Sequence, residues 1–425
     1  PRRPAGKRRR GTFPLGSPAT LHTTGMRVVS PVIISSRTGT IGWLAPCLLL
    51  YLLLQGCTPR LGDSEAALAL EDLASGALPS RLSMQTPAPQ RETFRYPTSH
   101  GERTADLYRS PDGSLAGIVL VPGAAAHGFR DSRVVAVART LARLRFAVLV
   151  PDMPGVRRYR VRETDAHEVA EAFDWLLTRP GLVPEGRAGI AGFSYGVGPV
   201  LIAAMQPDIN ERVRFVMSVG GYFNLHNVIA YFTTGYADTA AARAIDETRT
   251  GGLRPPHPYS EAVFIRSNLD LLERPVDRGF MSSYANYLVD TSAEAMEPSP
   301  GNLAPDARAF YRLLTNHDPS AVPRLIEDLS GNVRRLIEGL NPATHDLSRL
   351  RARLILLHGR SDNLIPYTES VALAKALPEG QARVFLIDGL AHVDLKPKAH
   401  DVPQLLAAME ALLDERAEEN PAPAD

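Results

Sequence analysis

Three short stretches carry the residue types that acyl chemistry needs. The first is Gly192-Phe193-Ser194-Tyr195-Gly196, a serine with glycine two places to either side. Where a strand turns sharply into a helix, the apical residue is held in a strained backbone conformation, and only very small neighbours leave room for the turn. A serine at that apex projects its hydroxyl at the carboxyl end of a buried strand, beside the positive end of the next helix. The hydroxyl is a weak nucleophile at neutral pH. It needs a base to take its proton and a carboxylate to orient and stabilise that base. Asp362, in Asp362-Asn363-Leu364-Ile365-Pro366, and His392, closing Asp388-Gly389-Leu390-Ala391-His392, are candidates for those parts. The serine motif alone is also what a glycine-rich turn without chemistry looks like, so the surrounding elements have to discriminate.

Those elements alternate. Glu92 to Tyr96 and Ala105 to Arg109 read as an antiparallel pair joined by a turn at Ser99 to Glu102. Buried-type strands follow at Ala116 to Val121, Phe146 to Val150, Arg187 to Ala191 and Val213 to Val219. The helices between them put Val134, Ala138 and Leu141, and then Val169, Phe173 and Leu176, on single faces. Short apolar strands alternating with amphipathic helices predict an α/β fold, with a mostly parallel sheet covered by helices on both faces. The rhythm breaks between Gly220 and Leu350, where helices, proline punctuation and dense aromatics from Tyr222 to Tyr311 predict a helical cap over the serine. Most of its rings are expected to fill the cap's own core and the rest to supply an apolar acyl pocket. Strands resume at Arg353 to Leu357 and Arg383 to Ile387, and a closing helix carries Leu405, Met409 and Leu412. In a parallel sheet the loops able to meet Ser194 follow the carboxyl ends of later strands. Asp362 and His392 occupy such loops.

With these motifs in place, Glu92 to about Arg416 resembles the α/β-hydrolase superfamily, of the serine esterase and lipase kind. The resemblance rests on the Gly192-x-Ser194-x-Gly196 elbow, the Asp362-x-x-Ile365-Pro366 loop and the Gly389-x-x-His392 loop, in the order Ser, Asp, His. It implies a catalytic triad of Ser194, Asp362 and His392, and an oxyanion hole made by backbone N–H groups. One such donor is Tyr195, directly after the nucleophile. The other lies in the loop after an early strand, which often reads His-Gly in the family and here reads Val121-Pro122-Gly123-Ala124. Ala124 is the expected donor, because small side chains let a backbone donor approach the oxygen.

Other groups compete for these roles. Asp388 is near His392 in sequence and is an alternative acid; His127 either touches substrate or orders its loop; His358 reads as structural, and Asp152 as a turn cap.

The N-terminal part reads as a targeting segment. Arg2, Arg3, Lys7 and Arg8 to Arg10 belong to a leader, and Met26 is the expected start. Arg27 and Arg37 precede an apolar core, Ile41 to Leu54, which contains Pro46 and is short for a bilayer span of about 20 residues. Its ending, Leu54-Gln55-Gly56-Cys57, resembles a bacterial lipobox, with Gln55 departing from the usual small residue. That resemblance implies a lipid anchor on Cys57 and, with Thr58 following, an outer-membrane lipoprotein; a periplasmic or secreted product is the alternative. The expected organisation is leader and signal 1–56, tether 57–90, hydrolase core 91–221, cap 222–350, core 351–420 and tail 421–425. A helix packed on the body is the alternative to the tether.

Cleavage before Cys57 would remove eight basic residues and no acidic one, leaving a mildly acidic chain at about −7 with no basic footprint for nucleic acid. The other cysteine, Cys47, lies in the signal core, so disulfide, cysteine-zinc and thiol chemistry are not expected. Neither metal-ligand spacing nor a nucleotide-binding glycine loop occurs, and no cofactor is expected. The expected partners are a small-molecule or lipid ester and a membrane. An acyltransferase using the same three residues, and a non-catalytic envelope lipoprotein, remain as alternatives.

Overall fold

The computed structural model describes residues 62–417 except 77, 237–255, 291, 293–296, 393 and 396, and only the backbone of 394 and 395. The expected leader, signal and Cys57, and the tail from 421 to 425, lie outside the described residues.

The described chain opens with α1 (Glu65–Ser75), capped by the Ser64 side chain, which accepts from the Ala67 N–H at 3.2 Å. Its Ala66, Ala67, Leu68 and Ala69 are buried in the core layer behind the sheet. Glu65 pairs with Arg416 at 2.6 Å, and the Thr140 hydroxyl donates to Asp72 at 2.6 Å. The helix at Glu65–Ser75 therefore packs on the body, and Leu82 joins the same buried layer. A stripe of alanine and leucine on one helical face gains more by burial than by hydration, and the polar bonds fix its orientation.

Eight strands form the sheet. They are β1 (Gln90–Thr98), β2 (Gly101–Arg109), β3 (Ala116–Val121), β4 (Phe146–Pro151), β5 (Ala188–Phe193), β6 (Phe215–Val219), β7 (Arg353–Gly359) and β8 (Ala382–Ile387). Their spatial order is β1-β2-β4-β3-β5-β6-β7-β8. β1 and β2 form an antiparallel pair, β2 meets β4 antiparallel, and every pairing from β4 to β8 is parallel. This is the expected mostly parallel α/β sheet. Within β3 the residues alternate between layers. Val119 and Val121 face α3 (Thr164–Leu177) and α4 (Val197–Ala204), while Ile118 and Leu120 face the layer holding α1 and α2 (Ser132–Arg143). A closing helix at Val402–Asp414 completes that second layer with Ala408, Met409 and Leu412.

Strand order, which sequence periodicity does not specify, places the site. From β3 the chain crosses to β4 on one side, and β5 then lies on the other side of β3. Val121 pairs with Gly192 across that junction. The loops after β3 and β5 thus leave neighbouring strand ends in opposite directions, where a crevice opens in sheets of this kind.

Between β6 and β7 come α5 (Leu225–Thr234), α6 (Pro258–Asn268), α7 (Pro275–Val289), α8 (Pro305–Leu314), α9 (Val322–Glu327) and α10 (Gly331–Gly339). They enclose an apolar cluster of their own, in which Tyr222, Phe232, Phe264, Tyr284 and Phe310 are buried. The Phe264 and Phe310 rings stack at 5.4 Å. No helix among the described residues is long and apolar enough to cross a membrane.

Candidate active site

Ser194 sits at the apex between β5 and α4 with φ +53°, a left-handed conformation rare for a residue with a side chain. The flanking glycines make the turn possible. A Cβ on Gly192 would stand 3.1 Å from the Val197 Cα, and one on Gly196 would stand 2.6 Å from the Pro122 carbonyl oxygen. That second contact also shows how closely the β3 loop packs on the elbow. Gly123 is equally tight, since its Cβ would lie 3.1 Å from the Ser194 Cβ.

The structure brings Ser194, His392 and Asp362 into one hydrogen-bonded line. Ser194 Oγ lies 2.7 Å from His392 Nε2, and His392 Nδ1 lies 2.9 Å from Asp362 Oδ2. In the neutral tautomer this geometry has Nδ1–H donating to the carboxylate and Nε2 accepting from the serine hydroxyl. Ser194 and Asp362 are buried, and the residues converge from loops 198 and 30 positions away from His392.

Asp362 is held on both oxygens. Oδ1 accepts from the N–H groups of Leu364 at 2.8 Å and Ile365 at 3.0 Å, which leaves Oδ2 turned to the histidine. Burial opposes its ionisation, but the charge of His392 and hydrogen bonds from His358 and His392 outweigh burial and hold the carboxyl well below the usual range. It is an anion at neutral pH. His358 has the structural place expected of it. Fully buried, it donates Nε2–H to the Ile365 carbonyl at 3.0 Å and accepts the Ser370 hydroxyl on Nδ1 at 2.8 Å, which braces the acid loop.

The histidine loop is built in the same way. His392 has φ +55°. Buried Asp401 accepts from the N–H groups of Asp388 and Gly389, both at 2.8 Å, and the Ser361 hydroxyl donates to the Asp388 carbonyl at 3.2 Å. The Asp388 carboxylate has partners of its own beside this loop. It pairs with His400 at 3.0 Å and Arg360 at 3.6 Å. Asp152 pairs with Arg157 at 2.8 Å, and His127 stands exposed with its carbonyl accepting from the Arg130 N–H at 2.9 Å.

Around the expected oxyanion donors the arrangement is open. Tyr195 begins the turn leading into α4, where N–H groups lack intrahelical partners. The Ala124 N–H bonds no backbone acceptor among the described residues. The Tyr195 side chain packs against the apolar cluster of the helices between β6 and β7, its ring 6.0 Å from that of Tyr222.

Several residues that shape the site carry no signal in the sequence. Gly220, at the end of β6 with φ +60°, leaves room beside Asp362 and His392. Asp401 ties the histidine loop, and Glu369 ties the segment entering α5 by accepting from the N–H groups of Phe223 at 3.1 Å and Asn224 at 2.6 Å. A positive-φ glycine after a strand is the one pattern that could have pointed to Gly220. Among the described residues, no group of three His, Cys, Asp or Glu side chains could hold a metal ion.

Comparison with known proteins bears on the fold. The chain is similar to an esterase from Pyrobaculum calidifontis, with 15% identity, covering 87% of this chain and 97% of that one, and a TM-score of 0.43. It is also similar to the acylaminoacyl peptidase of Pyrococcus horikoshii, with 12% identity, 80% and 44% coverage and a TM-score of 0.43. A puromycin-hydrolyzing peptidase of Mycobacterium tuberculosis matches with 17% identity, 80% and 40% coverage and a TM-score of 0.45. The chain thus spans less than half the length of those two peptidases. No curated protein matches. The family described as alpha/beta hydrolase fold matches residues 118–399, from within β3 to beyond His392. That match takes in more than half of the sequence and all three residues of the hydrogen-bonded line, and the chain belongs to the alpha/beta hydrolase fold family.

Proposed function

We propose that this protein is a serine hydrolase that cleaves a carboxylic ester through an acyl-enzyme on Ser194. The observation that carries the reading is the continuous path Ser194 Oγ, His392 Nε2, His392 Nδ1, Asp362 Oδ2, with links of 2.7 and 2.9 Å. Ser194 Oγ attacks the ester carbonyl carbon while its proton moves to His392 Nε2. The tetrahedral oxyanion is met by the N–H groups of Tyr195 and Ala124. Collapse breaks the bond to the alcohol, which leaves with the proton from His392. Water then gives a proton to His392, attacks the acyl carbon and frees the acid, and the proton returns to Ser194. Asp362 stays ionised throughout and stabilises the imidazolium. The chemistry needs no cofactor, and the cap from 222 to 350 is proposed to form the acyl pocket. The protein is further proposed to act at the cell envelope, anchored through Cys57.

The test is labelling of the folded body by a fluorophosphonate, together with turnover of p-nitrophenyl esters of graded chain length. A label lost in Ser194→Ala, with ester turnover, supports the reading. Diversion of product by an added alcohol acceptor would make the protein an acyltransferase, and absence of any label would leave a non-catalytic fold. A profile confined to acetyl esters would remove the large acyl pocket.

A further inference from the structure

The first turn of α6 reaches three carbonyl groups at the catalytic end of the sheet. The His257 N–H donates to Asn363 O at 2.8 Å, and the Ser260 hydroxyl donates to Leu364 O at 3.1 Å. Between them in sequence, the Tyr259 hydroxyl donates to Ala124 O at 3.3 Å. Asn363 and Leu364 directly follow Asp362, whose Oδ1 accepts from the Leu364 N–H. One turn of the cap therefore holds both the loop of the acid and the loop expected to give the first oxyanion donor.

The loop after β3 is poor in means of fixing itself. Ala124-Ala125-Ala126 offers no polar side chain, and its described backbone tie is the Gly128 N–H to Ala125 O at 2.9 Å. Oxyanion stabilisation depends on donors held in place before charge develops, and small displacements weaken it steeply. A bond from outside the loop is what such a segment requires. Tyr259 is itself held. Its ring meets that of Tyr159 edge-on at 6.3 Å, and Tyr159 keeps φ +58° while its carbonyl accepts the Ser267 hydroxyl. Burial, with the Tyr159 hydrogen bond, pushes the Tyr259 hydroxyl above its ordinary range.

We infer that Tyr259 is a positioning residue: its hydroxyl fixes Ala124 relative to Ser194, so that docking of the cap on the sheet sets the geometry of the oxyanion donor. The inference rests on the serine hydrolase reading above. Tyr259 touches neither the nucleophile nor the base and acts through Ala124.

Tyr259→Phe keeps the ring and removes the donor. In the full chain, kcat for a p-nitrophenyl ester should fall about tenfold while KM stays within about twofold, because the lost geometry matters in the transition state. The thermal midpoint should stay near that of wild type, and the amides of residues 124–126 should exchange hydrogen faster. A KM that rises while kcat holds would make Tyr259 a substrate contact and overturn the proposal. So would unchanged kcat in an active enzyme, or unchanged amide exchange in any case. Failure of the hydrolase reading looks different, since wild type would then show neither turnover nor fluorophosphonate label. The exchange measurement still decides whether Tyr259 holds the loop.

Discussion

Gly220 stands directly beside the Asp362 carboxylate: a Cβ built on it would lie 3.4 Å from Asp362 Oδ2 and 3.6 Å from His392 Nδ1. The Gly220 N–H donates to Leu357 O at 2.9 Å, which ties this point to β7 immediately before the acid loop. An alanine has room there, but φ +60° strains any residue with a side chain. Gly220→Ala should therefore lower the unfolding free energy by about 1–2 kcal/mol in urea titration, with most of the activity kept. Gly220→Val adds branches toward the carboxylate and imidazole and should reduce kcat as well. Wild-type stability in the alanine variant would contradict the strain assigned to this position.

The members of the hydrogen-bonded line should fail in graded ways. Ser194→Ala removes the atom that forms the acyl-enzyme, so turnover and fluorophosphonate label both vanish, and His392→Ala should be nearly as severe. Asp362→Asn retains the shape but favours the wrong imidazole tautomer, lowering kcat on the order of 10⁴. Asp388→Asn, whose carboxylate serves His400 and Arg360, should lower it less than about tenfold. A crippling Asp388→Asn beside a mild Asp362→Asn would reverse the assignment of the acid.

The elbow itself can be weighed by stability. Because Ser194 holds φ +53°, Ser194→Gly should be more stable than Ser194→Ala by about 1 kcal/mol, glycine entering that region without steric penalty. Calorimetry of the two inactive variants measures the difference. Equal midpoints would mean that the turn carries no strain in solution.

Burial pushes Glu369 up to about 7, against the hydrogen bonds from Asn224, Phe223 and Asn227, and likewise pushes Asp165 up to about 7 against the Arg162 N–H. Both groups prefer the proton when folded. The stability this contributes is complete below their unfolded values of 4.5 and 3.8, and is lost as pH rises through about 7. Asp362 has the opposite sign, and its contribution is lost only as pH falls below its usual range. Between about pH 5 and 8 the unfolding free energy should therefore decline, with Glu369 accounting for at most about 3 kcal/mol. Glu369→Gln cannot ionise but still accepts from the Phe223 and Asn224 N–H groups, so it should flatten that decline. Parallel pH profiles for wild type and Glu369→Gln in urea unfolding would remove Glu369 as the cause.

The anchor is tested in a bacterial host. Wild type should partition into detergent and take up labelled palmitate, because several acyl chains hold a protein at a membrane where one is marginal. Cys57→Ser should lose the label. Equal membrane association without label in either protein would point to an uncleaved anchor or a plain signal peptide.

What the sequence determined by itself was local or periodic. Glycines two places either side of Ser194 specify a tight turn because any larger side chain would strike the backbone within a few residues, and that requirement is written in adjacent letters. The strand runs and helix faces were legible for the same reason, since burial on one face repeats every two residues in a strand and about every 3.6 in a helix. From those elements followed a mostly parallel sheet with Ser194, Asp362 and His392 at strand ends. Tertiary structure decided the rest. Asp362 and Asp388 both follow strands, and only the fold puts Asp362 against His392 while His400 and Arg360 take Asp388. The alanine-rich stretch from 65 to 75 suits a tether or a docked helix equally well until the α2 layer lies beneath it. Gly220, His358, Asp401 and Tyr259 act on groups 4 to 172 positions away, in some cases through a single hydrogen bond, as Tyr259 does on Ala124, 135 positions distant. Such pairings depend on the order in which strands lie side by side, and no periodicity along the chain encodes that order.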